Sequence, residues 1–201
     1  MLPKALENVI EALGSLPGVG PRTAERYAYY LFRSSPKIAS NLADTLNNLH
    51  DGVKLCPITF ALIDADEEYS EYYTDPKRDK KTILVVEEPL DIYAIEQTRG
   101  YKGTYHVLGG AVSPIDGVTP DKLHIKELVE RVEKDEAEEV IIATNPSVEG
   151  ESTALLIEKM LHEKNPELKL TRLARGLPLG VDLSYADQIT LSTALENRTK
   201  I

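Results

Sequence analysis

Two groups of residues in this chain of 201 could do chemistry on phosphates or on their partners: carboxylates closing short apolar runs, and arginines beside a glycine-bearing turn. Glu87 and Glu88 follow Val85-Val86, and Glu149 and Glu151 follow Ala143-Thr144-Asn145-Pro146-Ser147-Val148. Hard anionic oxygens of this kind hold Mg²⁺ for phosphoryl chemistry. Asn145 and Ser147 contribute only neutral oxygens among them, so a catalytic site is the weaker reading and an acidic face that docks a basic partner the better one. Glu151 also reads simply as a solvated carboxylate at a helix N-terminus. Arg22 and Arg26 stand one helical turn apart after Leu16-Pro17-Gly18-Val19-Gly20-Pro21. Gly18 and Gly20 let the backbone approach a phosphate, the helix start donates to it, and the two guanidinium groups neutralise it. Contacts of this type read no base. The plain alternative is an ordinary helix–helix turn with solvated arginines.

Other chemistry-bearing residues say less. Cys56 is the single cysteine, which excludes an intramolecular disulfide and a zinc site of four Cys/His ligands built on cysteine alone. By itself it reads as a small buried apolar residue. His50, His106, His124 and His162 have neither ligand spacing nor an evident catalytic partner. Residues 106–117 carry Gly109-Gly110 and Gly117 but not the spacing or lysine of a phosphate-binding P-loop.

The elements that must position these residues fall into distinct stretches. Leu6, Val9, Ile10 and Leu13, then Ala24, Tyr27, Ala28 and Leu31, then Ile38, Leu42, Leu46 and Leu49 recur at helical spacing, which predicts three helices. Residues 53–81 lose that period and collect carboxylates between Asp64 and Glu71, which predicts a short irregular segment. Beyond it, strands are expected at 82–86, 104–108, 139–143 and 168–174, with helices at 90–98, 121–135 and 152–162. This alternation predicts an α/β domain on a mainly parallel sheet. Residues 176–180 read as a rigid turn before an amphipathic stretch at 185–198.

Charge follows the same division. The first 52 residues hold five basic and five acidic groups, so the net charge of -10 belongs to the rest of the chain. Any nucleic-acid surface is therefore expected near the N-terminus. An apolar fraction of 42% supports a folded core, and with no long apolar run or signal-like start the chain is expected in the cytoplasm.

Several of these stretches resemble known domains. Residues 16–26 are similar to a helix-hairpin-helix DNA-binding element, and the strand ends at Glu87 and Asn145 resemble the Toprim domain of topoisomerases and primases. In that domain the positions of Asn145 and Ser147 are metal-binding aspartates. Taken in order with Thr74-Asp75-Pro76-Lys77-Arg78-Asp79, Tyr105-His106-Val107-Leu108-Gly109-Gly110 and Ala174-Arg175-Gly176-Leu177-Pro178, they resemble the RecR family of bacterial recombination mediators over essentially the whole chain.

The resemblance implies four parts: a helix-hairpin-helix module at 1–52, a degenerate zinc-finger-like segment at 53–80, a Toprim domain at 81–176, and a C-terminal oligomerisation segment at 177–201. It implies a non-enzymatic DNA-repair protein that forms a tetrameric ring, binds single- and double-stranded DNA through Gly18, Gly20, Arg22 and Arg26, and works with RecO and RecF. Glu87, Glu88, Glu149 and Glu151 would then form the partner-binding face. Family members carry four zinc-binding cysteines. Only Cys56 is present here, with Thr59, Ser70 and Tyr73 at the other positions, so no cofactor is expected. Packing among Phe60, Leu62, Tyr69, Tyr72 and Tyr73 is expected to replace the metal. Two competing functions are a Mg²⁺-dependent Toprim nuclease or primase-like enzyme, and a docking scaffold that never contacts DNA.

Overall fold

A computed structural model describes residues 2–174, 176–177 and 180–198, which divide into two compact units, 1–54 and 55–201. The first unit contains the three expected helices, α1 (Lys4–Gly14), α2 (Pro21–Arg33) and α3 (Pro36–Gly52). Pro21 and Pro36 open α2 and α3 at the first helical position, where a missing N–H breaks no helical bond. α1 crosses α2 at Gly14, where an added Cβ would lie 3.8 Å from that of Ala24. Among the described residues of this unit, only Ala24 and Ala28 are fully buried apolar side chains. Ile38, Leu42, Leu46 and Leu49 do form one face of α3, but that face is exposed within the unit.

After α3 come two short paired strands, β1 (Val53–Leu55), which runs across the boundary between the units in sequence, and β2 (Leu62–Asp64), followed by the one-turn helix α4 (Glu71–Thr74) of the second unit. The centre of the second unit is a four-stranded sheet of β3 (Asp79–Val86), β4 (Gly103–Val107), β5 (Glu139–Ile142) and β6 (Lys169–Arg172), in the order β4-β3-β5-β6 with every pairing parallel. Alternation along β3 divides the core. Ile83 and Val85 face α6 (Ile125–Lys134) and α7 (Val148–Lys164), while Leu84 and Val86 face α5 (Asp91–Glu96), Tyr105 and the segment around Ala61. The last helix, α8 (Gln188–Glu196), has no buried residue. The expected turn at 176–180 lies partly outside the described residues.

Two helices differ from their expected bounds. The expected 121–135 helix is broken into a 3-10 turn (Pro120–Lys122) and α6, because His124 between them bonds its N–H to the Leu108 carbonyl at 2.9 Å. α7 starts earlier than expected, since the Ser147 hydroxyl caps it by accepting the Gly150 N–H at 3.0 Å.

Candidate functional site

In the first unit, Gly18 adopts φ +78°, a left-handed conformation that glycine tolerates best, and reverses the chain between α1 and α2. The Val19 N–H donates to the Leu16 carbonyl at 3.1 Å, and the N–H groups of Thr23 and Ala24 donate to Gly20 at 2.9 and 3.0 Å. No heavy atom lies within 4 Å of where a Cβ on Gly20 would sit, so the backbone there is open to an approaching group. Arg22 and Arg26 are exposed on the first turns of α2, beside the positive end of the helix. The structure thus brings Gly18, Gly20, Arg22 and Arg26 to one end of one helix, with geometry suited to an anion.

In the second unit the carboxyl ends of β3 and β5 are adjacent, although the chain leaves β3 toward β4 on one side and β5 toward β6 on the other. Open parallel sheets bind ligands at such a reversal. Glu87 ends β3 there and is only 7% exposed. Its two carboxylate oxygens accept the Asn145 backbone N–H at 2.8 Å and the Asn145 side-chain amide at 2.6 Å. Its carbonyl accepts the N–H groups of Gly109 and Gly110, both at 2.9 Å. Asn145 therefore supplies both of the donors that engage this carboxylate. Gly150 is required beside it, because a Cβ would fall 2.1 Å from the Asn145 carbonyl oxygen.

The other acidic candidates separate by environment. Glu88 and Glu149 are exposed, whereas Glu151 pairs with Arg172 at 2.6 Å. Of the four, Glu88 and Glu149 are most open to a partner, and Glu87 has a structural duty that only its link to Asn145 reveals. Pattern reading missed that duty because an asparagine in the expected metal position looks like a loss rather than a donor.

The segment between β1 and β3 presents Cys56, Thr59, Ser70 and Tyr73 as its donors at the zinc positions. Cys56 is fully buried, and its sulfur accepts the N–H groups of Thr59 at 3.5 Å and Ser70 at 3.3 Å. The Thr59 hydroxyl accepts Ala61 N–H, the Ser70 hydroxyl accepts Tyr72 N–H, and the Tyr73 hydroxyl donates to Asp135 at 2.9 Å. One thiol, two aliphatic hydroxyls and a phenol do not fit Zn²⁺, which takes deprotonated soft donors. Burial raises the Cys56 pKa, but hydrogen bonds from Thr59, Ser70 and Ile58 outweigh it and hold the thiol below its ordinary value.

The expected five-residue apolar cluster does not form. Phe60 stacks on His124 at 3.6 Å between centroids and Tyr72 packs edge-on to Tyr105, while Leu62 and Tyr69 are exposed. Tyr73 instead joins a polar network in which the buried Arg131 binds Asp135 at 3.0 Å and the Tyr105 carbonyl and Thr104 hydroxyl at 2.6 Å each. Hydrogen bonds thus crosslink this segment.

A parallel sheet with this strand order, following a helix–glycine turn–helix unit, defines a protein that joins a Toprim domain to a helix-hairpin-helix. Residues 81–174 match the Toprim domain, 6–50 the family described as RecR, helix-hairpin-helix, and 176–199 that described as RecR, C-terminal. The chain is 46% identical to the recombination protein RecR of Mycobacterium sp. (strain KMS) over 197 residues, covering 96% of each. It is 46% identical to that of Thermobifida fusca (strain YX) over 194 residues, with 96% of each covered, and 43% identical to that of Cutibacterium acnes over 196 residues, covering 98% of this chain and 96% of the other. The chain belongs to the RecR family, and its role lies in DNA recombination and repair. No helix among the described residues is long and apolar enough to cross a membrane.

Proposed function

We propose that this chain is a non-enzymatic DNA clamp and recombination mediator of the cytoplasm, which assembles as a tetrameric ring and helps RecO and RecF load recombinase on gapped DNA. The observation that carries this reading is the open Gly18–Gly20 turn with Arg22 and Arg26 exposed on the helix it starts. One such turn is a weak anion site. Several in one ring add their affinities through high effective concentration, which suits a subunit with few basic groups. The exposed apolar faces of α3 and α8 supply surface for association, and the carboxylates of Glu88 and Glu149 suit a basic partner such as RecO. The bonds from Asn145 to both oxygens of Glu87 leave that carboxylate engaged as a structural acceptor, which supports a mediator over a nuclease.

Charge reversal at both sites, Arg22→Glu with Arg26→Glu, is expected to abolish binding to a gapped duplex while the solution mass stays that of the oligomer. Unchanged affinity would sink the DNA reading. Mg²⁺-dependent cleavage or synthesis that Glu87→Gln removes would instead establish the enzyme.

A further inference from the structure

α2 carries more than a phosphate contact. Between Pro21 and Arg33 it has three arginines and one glutamate, in a chain whose net charge is -10. At about 100° per residue, Arg22, Arg26 and Arg33 fall within about 40° of one another around the helix, with Tyr29 bordering them on one side and Tyr30 on the other. Ala24, with no exposed surface, lies on the opposite side and anchors the helix to its own unit. Tyr29 is 55% and Tyr30 58% exposed, a costly placement for two aromatic rings unless something covers them. The arginines are already beside rings: the Arg33 guanidinium is 5.9 Å from the Tyr29 centroid, and that of Arg26 is 5.5 Å from Tyr27.

A track of guanidinium groups with rings along both edges matches one ligand chemistry, an unpaired nucleic-acid strand. The cations neutralise successive phosphates while the rings stack on bases, and a duplex keeps its base faces within its own stack. We propose that the Tyr29 and Tyr30 rings form a base-stacking platform that makes this surface prefer single strands to duplex. The track from Arg22 to Arg33 is about 16 Å long, enough for more than one nucleotide. This proposal rests on the reading that α2 faces DNA, and it adds base contact to a site otherwise limited to phosphate.

The test uses the full-length protein and the fluorescence anisotropy of three labelled probes: an oligo-dT strand, a strand of equal length and charge made of abasic residues, and a duplex. The wild type is expected to bind oligo-dT about tenfold or more tightly than the abasic strand, the scale of one or two stacked bases. Replacing both tyrosines, Tyr29→Ala with Tyr30→Ala, is expected to lower oligo-dT affinity to the abasic level and leave the duplex unchanged. Tyr29→Phe with Tyr30→Phe should preserve the discrimination. Equal binding of oligo-dT and abasic strand by the wild type overturns the platform while leaving phosphate contact standing; that arm needs no variant. If the alanine variant changes the solution mass but not the ratio of the two affinities, the rings serve subunit contact and the proposal also fails. Absence of binding to all three probes removes the DNA reading itself.

Discussion

Glu87 illustrates how one neighbour decides the chemistry of a carboxylate. Buried at a strand end, it would be costly as a lone anion, and Asn145 offsets that cost with two donors. Asn145→Asp removes one donor and sets a second carboxylate against the first, which raises the pKa of one of the pair. Because the folded form then holds a proton that the unfolded chain has released, the variant loses stability as pH rises. Its melting temperature is expected to fall at pH 8, by the equivalent of about 1–3 kcal/mol, and to recover toward that of the parent protein near pH 5. A deficit independent of pH would show that the lost amide alone matters.

His106 sets a limit on the acid side. It is wholly buried and its Nε2–H donates to the His124 carbonyl at 2.7 Å; burial outweighs that bond, which favours the charged ring, and lowers its pKa to about 3. The unfolded chain takes up a proton below about 6.5, whereas the fold does not. Stability is therefore lost as pH falls through that value, amounting to about 2 kcal/mol by pH 5. Urea midpoints at pH 7.5 and 5 measure it, and His106→Gln should flatten the difference. Sequence offered no sign of this histidine's role, because nothing in its spacing shows that β4 and His124 enclose it.

The segment joining β1 to β3 shows what the sequence could and could not convey at the level of elements. Thr59, Ser70 and Tyr73 do not fit the donor set of a zinc site, which is a local property legible in the sequence. What replaces it is non-local, since the Tyr73 partner Asp135 lies at the end of α6. Chelation with EDTA is therefore expected to leave the thermal melting curve unchanged, and stoichiometric zinc in purified protein would refute this. Tyr73→Phe should cost about 1–2 kcal/mol in a denaturant titration, the scale of one hydrogen bond to a charged acceptor; no change would place the crosslink elsewhere. The four strands of the parallel sheet and most helices were legible from period and β-branching, whereas β1, β2 and α4 fall in the stretch expected to be irregular, being too short to show a period. The early start of α7 was not legible, because it depends on the Ser147 hydroxyl capping the Gly150 N–H.

Over the whole molecule, the charge division read from sequence follows the division into two units. On the proposed function a polyanion is repelled by the acidic second unit and accepted by the neutral helical one, so DNA binding should weaken steeply with salt while remaining independent of sequence. A titration from 50 to 200 mM salt checks this, and a flat response would rule out phosphate as the main contact.

The thin interior of the first unit bears on the order in which the protein is made. Residues 1–54 leave the ribosome first, yet among the described residues only Ala24 and Ala28 are fully buried apolar side chains there, whereas the sheet has a full core on both faces. The second unit therefore has the means to fold at once, whereas in the proposed ring the helical unit gains its cover only from another copy. On that reading the lifetime of the exposed helices is set by subunit concentration, and the unassembled chain offers chaperones and proteases its first 54 residues.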